Sequence, residues 1–181
     1  MRAIFNALPF PTEDKLCWLL NQGVDADAMA LPWPIRSALV HWLPCHTFYF
    51  TKGGDPAVIF RAEDRGEAID LCAWSPRTNK LASWSGAAFC IGDADQIYNP
   101  ATWFANGGLK IHKTPLEWLR AGRQGIVIVR SRPTYAHLRH VPRLIFDDVE
   151  HAEQVQRWCK PPKSKNEFLV RTSAHAERKV A

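Results

Sequence analysis

The alternation of apolar and polar positions is clearest over residues 57–92, where AVIFRAEDRGEAIDLCAWSPRTNKLASWSGAAFCIG falls into short apolar blocks separated by polar turns. Blocks of this length, rich in β-formers and broken by a Gly-Glu turn at Gly66 and a polar segment over 75–80, predict two or three consecutive antiparallel strands. Within them Ile69 and Leu71 alternate with Asp70 and Cys72, which puts Ile69 and Leu71 on the core face and Asp70 and Trp74 on the other. Trp74 is therefore expected to be partly exposed and available to a protein partner.

Upstream, residues 1–11 read as an extended arm, because Pro9 and Pro11 withhold backbone donors. Thr12 then caps a helix with Glu13 and Asp14 at its positive end, Leu16, Leu19 and Leu20 on its apolar face, and Gly23 as its stop. Residues 35–51 read as a hairpin closed by Leu43-Pro44-Cys45-His46. Downstream, residues 93–108 predict a short irregular helix or loop, and 109–112 a brief strand. Thr114, Pro115 and Glu117 carry the signature of a capped helix. GIVIVR over 125–130 is the most hydrophobic strand and belongs in the centre of a sheet. A short helix over 133–140, a strand over 143–146 and an amphipathic helix over 148–159 complete the pattern. This order predicts a single α+β domain over residues 1–159, with a mainly antiparallel mixed sheet and peripheral helices.

Composition agrees with one core: the chain has 181 residues, of which 46% are hydrophobic and 23% charged. The formal net charge of +5 would favour a nucleic-acid partner if it were spread over the domain. It is not: residues 160–181 carry +4 of it, leaving +1 for residues 1–159. A terminal segment rich in Lys, Ser, Pro and Ala reads as a flexible basic tail, whose contact with nucleic acid is expected to be weak and sequence-independent. The five cysteines stand apart with no CxxC pair, as reduced thiols of a cytoplasmic protein do. The opening MRAIFNALPFPTEDK is too broken by Asn6, Pro9 and Pro11 to read as a signal peptide or membrane span.

Among chemical motifs, no GxxxxGK[ST], GxGxxG or GxSxG sequence occurs. His137 and His140 sit one helical turn apart but lack the Glu of a metalloprotease helix, and Cys72 and Cys90 lie in apolar strands that suit packing. Asp93-x-Asp95 is the more informative pair, since two carboxylates after an apolar strand and a glycine can share a magnesium ion. With Glu63 as a preceding acid, this pattern resembles a toprim catalytic module, which implies a metal-dependent nucleic-acid enzyme with Glu63, Asp93 and Asp95 as its acids and Mg as its cofactor. The strand GIVIVR departs from that pattern, carrying Arg130 where an acid belongs and following the pair rather than preceding it. Turn capping by Asp93 and Asp95 is the plain alternative.

The phrases GVDADAMALPWPIR, EAIDLCAWSPRTNKLASWSGAAFCIGD, NPATW and PLEWLRAGRQGIVIV, over roughly residues 23–130, resemble a family of small uncharacterised bacterial proteins often encoded in prophage or other mobile regions. That resemblance implies a context and no mechanism. The sequence reading is thus a non-enzymatic intracellular interaction protein that binds a protein partner through Trp74 and needs no cofactor, with the toprim-like enzyme as the alternative. Deleting residues 160–181 is expected to leave the melting temperature of the domain unchanged and to abolish any salt-sensitive DNA binding. Salt-resistant binding retained by residues 1–159 would contradict this reading.

Overall fold

The computed structural model describes residues 1–161 and two short strands beyond them. The helices are α1 (Arg2–Ala7), α2 (Glu13–Asn21), α3 (Ala26–Ala30), α4 (Asp95–Tyr98), α5 (Pro100–Ala105), α6 (Pro115–Arg120), α7 (Thr134–Leu138) and α8 (Val149–Trp158). The strands are β1 (Arg36–Leu43), β2 (Thr47–Phe50), β3 (Asp55–Asp64), β4 (Glu67–Trp74), β5 (Leu81–Ser83), β6 (Cys90–Asp93), β7 (Leu109–His112), β8 (Ile126–Ile128) and β9 (Leu144–Ile145). They form one nine-stranded mixed sheet in the order β1-β2-β5-β4-β3-β6-β8-β7-β9, so the fold is single-domain α+β as expected. Among the described residues no helix is long and apolar enough to cross a membrane.

The sheet is more than an open ribbon, because β1 also pairs antiparallel with the first half of β3, from Val40↔Asp55 to Arg36↔Ile59. With the parallel contact Thr47↔Ser83 between β2 and β5, strands β1 to β5 close into a small ring. Val40, Phe48, Ala57, Ile59, Leu71, Ala73 and Ala82 fill it, the alanines leaving room for the larger side chains in so narrow a barrel. The second half of β3 leaves the ring and pairs in parallel with β6 through Ala62↔Gly92 and Glu63↔Asp93. From there the sheet continues as an open layer, with β8 in its centre between β6 and β7. Phe89, Ile97, Leu109, Ile111, Ile126, Leu138 and Val155 form the core of this second part.

The local signals read correctly where the chain turns sharply. Arg65 and Gly66 both have positive φ (51° and 75°), the geometry of a two-residue turn that matches strand twist between β3 and β4. At α6, the Thr114 hydroxyl accepts from the Glu117 amide while the Glu117 carboxylate accepts from the Thr114 amide, a complete capping box. Gly125 (φ 80°) is where β8 begins beside β7, and a Cβ there would lie 2.4 Å from the Lys110 carbonyl oxygen.

Three expectations are corrected. Residues 2–7 form α1 rather than an extended arm, because Phe5 is buried against the ring core and only from Leu8 is the backbone extended. Ile69 and Leu71 do not share a face: β3 and β4 pair Ala62↔Asp70 and then Glu63↔Ala68, so Ile69 is the extra residue of a bulge. Ile69 consequently packs with Cys72 and Trp74, while Leu71 faces the ring interior. Trp74, expected to be partly exposed as a partner-binding residue, is 2% exposed. Leu19 of α2, Met29 of α3 and Trp118 of α6 bury it together with Phe60, and its indole N–H donates to the Asn79 side chain at 3.0 Å. It is a core residue and offers no surface.

Beyond the domain, Phe168–Arg171 (β10) pairs antiparallel with Glu177–Val180 (β11) as a separate two-stranded sheet. The rest of the segment expected to be a flexible basic tail lies outside the described residues.

Asp70 is the unusual feature of this core, a fully buried carboxylate whose partners are all backbone amides. Its Oδ1 accepts from Leu71 at 2.8 Å and Ser85 at 2.9 Å, and its Oδ2 from Ala87 at 2.9 Å and Ala88 at 3.0 Å. Hydrogen bonds to an ionised acceptor are each worth roughly 1.5–3 kcal/mol and are costly to leave unmade. Asp70→Ala is therefore expected to destabilise the domain by about 3 kcal/mol or more, with Asp70→Asn close behind because its NH2 would face amide donors. Urea unfolding together with hydrogen exchange at Ser85, Ala87 and Ala88 checks this, and unchanged exchange at those amides would refute it.

Three histidines in the second core favour the neutral form on folding. Burial lowers His112, His137 and His151 below the usual 6.5. His112 Nε2 bonds the Gln124 carbonyl oxygen at 2.8 Å while its buried Nδ1 has no partner among the described residues, so none of them offers an acceptor for a second ring proton. His137 stacks on Phe89 with centroids 4.2 Å apart, and His151 meets Phe146 edge-on. Between the lowered folded values and 6.5 the unfolded chain holds more protons, so this stability is full above 6.5 and is lost as pH falls below it. Urea midpoints measured from about pH 7.5 down to about pH 5.5 are expected to fall, and His112→Gln is expected to flatten that slope.

Candidate functional site

A cleft of about 680 Å³ opens where the ring, the N-terminal helices and the open layer meet. α3 supplies Asp27 and Ala28, the segment after it Leu31, Pro32 and Trp33, and the residue before it Asp25. β3 supplies Arg61 and Glu63, and the adjacent β6 supplies Gly92 and Asp93. Gln96, Trp118, Gly122 and Arg123 close the far side. A wider depression of about 800 Å³ runs past Trp42, His46, Lys80 and Lys113, but of its two lysines Lys113 is already engaged at the surface by Asp148 and Glu150. The smaller cleft is the stronger candidate because it contains a buried charge with donors to spare.

That charge is Arg61. Strand periodicity puts it in the same row as Ile59, which faces the ring core, so its side chain is carried inward at the ring's open end. It is 1% exposed, lies over the Trp33 ring at 4.0 Å from the centroid, and makes an ion pair from Nη2 to Glu63 Oε1. Nε and Nη1 have no hydrogen-bond partner among the described residues. Burial lowers the pKa of this guanidinium, with Glu63 opposing the effect and Arg2 adding to it. A buried arginine normally has its donors met, so this one is an exception that needs a reason.

Arg123 sits nearby in the opposite condition. Its guanidinium donates to the backbone carbonyls of Ala28, Trp33 and Met29, tying the α6–β8 turn to α3 and the segment after it. Burial lowers it to about 10, and Glu63 again opposes the effect, so it stays protonated at neutral pH. Its donors are spent on holding the cleft wall while its charge still acts on the floor.

The acids singled out from the sequence are only partly brought together. Glu63 and Asp93 are direct neighbours across the parallel β3–β6 pairing and both line the cleft. Asp95 lies on α4 outside it, and its amide donates to Asp93 Oδ1 at 2.9 Å in the turn that begins that helix. Among the described residues no group of three His, Cys, Asp or Glu side chains is placed to hold a metal ion. With Glu63 held by Arg61 and Asp93 serving a turn, the set does not fit the magnesium site of a toprim-like module. The thiols do not supply a nucleophile either: burial pushes Cys72 well up and Cys90 up to about 12, so neither carries thiolate at neutral pH.

Arg61 and Arg123 were not singled out in the sequence, although Arg61 had a signal. It is a charge in the middle of the apolar run AVIFRA, in phase with the buried face. Arg123 had none, since its partners are carbonyls about 90 residues away in sequence. No family model, no curated protein and no solved structure matches this chain.

Proposed function

We propose that this chain is a non-catalytic binding protein whose recognition site is the cleft between β3, β6, α3 and the α6–β8 turn. One observation carries the reading: Arg61 lines the cleft fully buried, with Nε and Nη1 unmatched by any described residue. A buried donor without an acceptor costs about 1–3 kcal/mol, and an incoming acceptor recovers that cost. Trp33, half-buried, lines the same cavity and supplies apolar contact area with little conformational entropy to lose. Glu63 is ion-paired with Arg61, Arg123 donates to backbone carbonyls and Asp93 accepts from the Asp95 amide, as suits recognition by fixed geometry rather than turnover. The binding role that the sequence suggested for Trp74 passes to this site.

A ligand at about 100 times its Kd raises stability by about 2.7 kcal/mol, so thermal unfolding is a sufficient readout. In a screen of amino acids, short peptides, nucleotides and sugars, at least one class is expected to raise the melting temperature of the full chain. The Asp27→Arg variant, altered at an exposed residue on the cleft rim, is expected to fold normally and lose that response. A response unaffected by Asp27→Arg and by Asp93→Arg would place binding elsewhere and overturn the proposal.

A further inference from the structure

The cleft is segregated in charge. Inside it, the Arg61 guanidinium at the floor and the Arg123 guanidinium at the far wall stand against the single carboxylate of Glu63. At its rim stand Asp25, Asp27 and Asp93, all exposed. A simple anion would satisfy Arg61 but would have to pass and stay near three carboxylates. A simple cation would suit the rim but leave the buried Nε and Nη1 of Arg61 unmatched. A molecule with an anionic end and a cationic end suits both.

From this we infer that the cleft recognises a small zwitterion, a basic amino acid or short basic peptide, with its carboxylate on Arg61 and its ammonium groups at the aspartate rim. The inference rests on the cleft being the binding site and adds the ligand class. A carboxylate accepts from guanidinium N–H donors through charge-assisted, often bidentate hydrogen bonds, and unlike a phosphate it comes in the same small molecule as the ammonium groups that suit the rim. The ring of Trp33 fixes the plane in which Arg61 offers them. The lining counts two cationic against four anionic side chains, so the favoured ligand is itself net positive. Its apolar portion lies along the half-buried Trp33 and the exposed Leu31.

Calorimetric titration of the full chain with L-lysyl-glycine tests this, using L-lysyl-glycinamide, identical except for the missing carboxylate, as the matched probe. The dipeptide is expected to bind at least about tenfold more tightly than the amide, a difference of about 1.4 kcal/mol. Arg61→Lys is expected to bring the dipeptide down to the level of the amide while barely changing the amide. Asp27→Asn, at an exposed position that leaves the fold intact, is expected to weaken both probes. Equal affinity for the two probes overturns the inference, as does no binding of the dipeptide, which would mean that water alone serves Arg61. If both peptides fail but inorganic phosphate or spermidine binds and Asp27→Arg abolishes it, the cleft remains the binding site and only the zwitterion is wrong. If no probe responds to Asp27→Arg, both readings fall.

Discussion

A single buried carboxylate sets the course of this chain. Asp70 accepts from the amides of Leu71, Ser85, Ala87 and Ala88, and three of these belong to the connection between β5 and β6. That connection has to leave the closed ring and deliver β6 to the far half of β3. Without an acceptor its amides would enter the core unpaired, a cost that a segment of Trp, Ser, Gly and Ala has little apolar area to offset. Anchored on Asp70, it lays Gly92 against Ala62 and Asp93 against Glu63. The floor and one wall of the cleft follow from that register.

β3 has the complementary role. Over ten residues it serves two partners in succession, β1 along its first half and β6 along its second, with β4 on its other side from Val58 to Asp64. A strand shared in this way must be buried on both faces where the two parts join, and the run from Ala57 to Ala62 is buried without a break. Arg61 is the one charge in that run. A residue there must either be apolar or be compensated, and Glu63 and the Trp33 ring compensate it only in part.

Legibility in the sequence divided along the range of the interactions. The α6 capping box, the turn at Gly66, the hairpin before β3 and the central position of β8 all rest on residues close in sequence, and each could be read from spacing. Ring closure rests on β1 meeting β3 and on one parallel bridge from Thr47 to Ser83, and a hydrophobic pattern contains no term for either. The bulge at Ile69 shows how little it takes to mislead period-2 reasoning, since one extra residue moved Ile69 to the face of Trp74. Trp74 has a further reason to be buried: over residues 70–74 of β4, inside the ring on one side and against the cluster of α2, α3 and α6 residues on the other, neither face is left for solvent. Of the acids, Glu63 and Asp93 are neighbours through the β3–β6 register, which the Asp-x-Asp spacing does not encode.

The two arginines at the cleft differ in how far the described residues meet their donors. Arg123 is completed by carbonyls of Ala28, Met29 and Trp33 and so locks α3 and the segment after it to the α6–β8 turn. Those carbonyls end a five-residue helix, too short to hold its position by its own hydrogen bonds. By fixing them, Arg123 also fixes Trp33, and Trp33 fixes Arg61 by stacking on it. The guanidinium with unmet donors is thus immobilised by the one whose donors are met. Replacing Arg61 by a well-packed apolar residue would remove a desolvation cost that the fold itself has no use for. On the proposed reading, a charge retained at such a cost, rigidly held and incompletely paired by the described residues, is arranged for a partner that arrives from outside the chain.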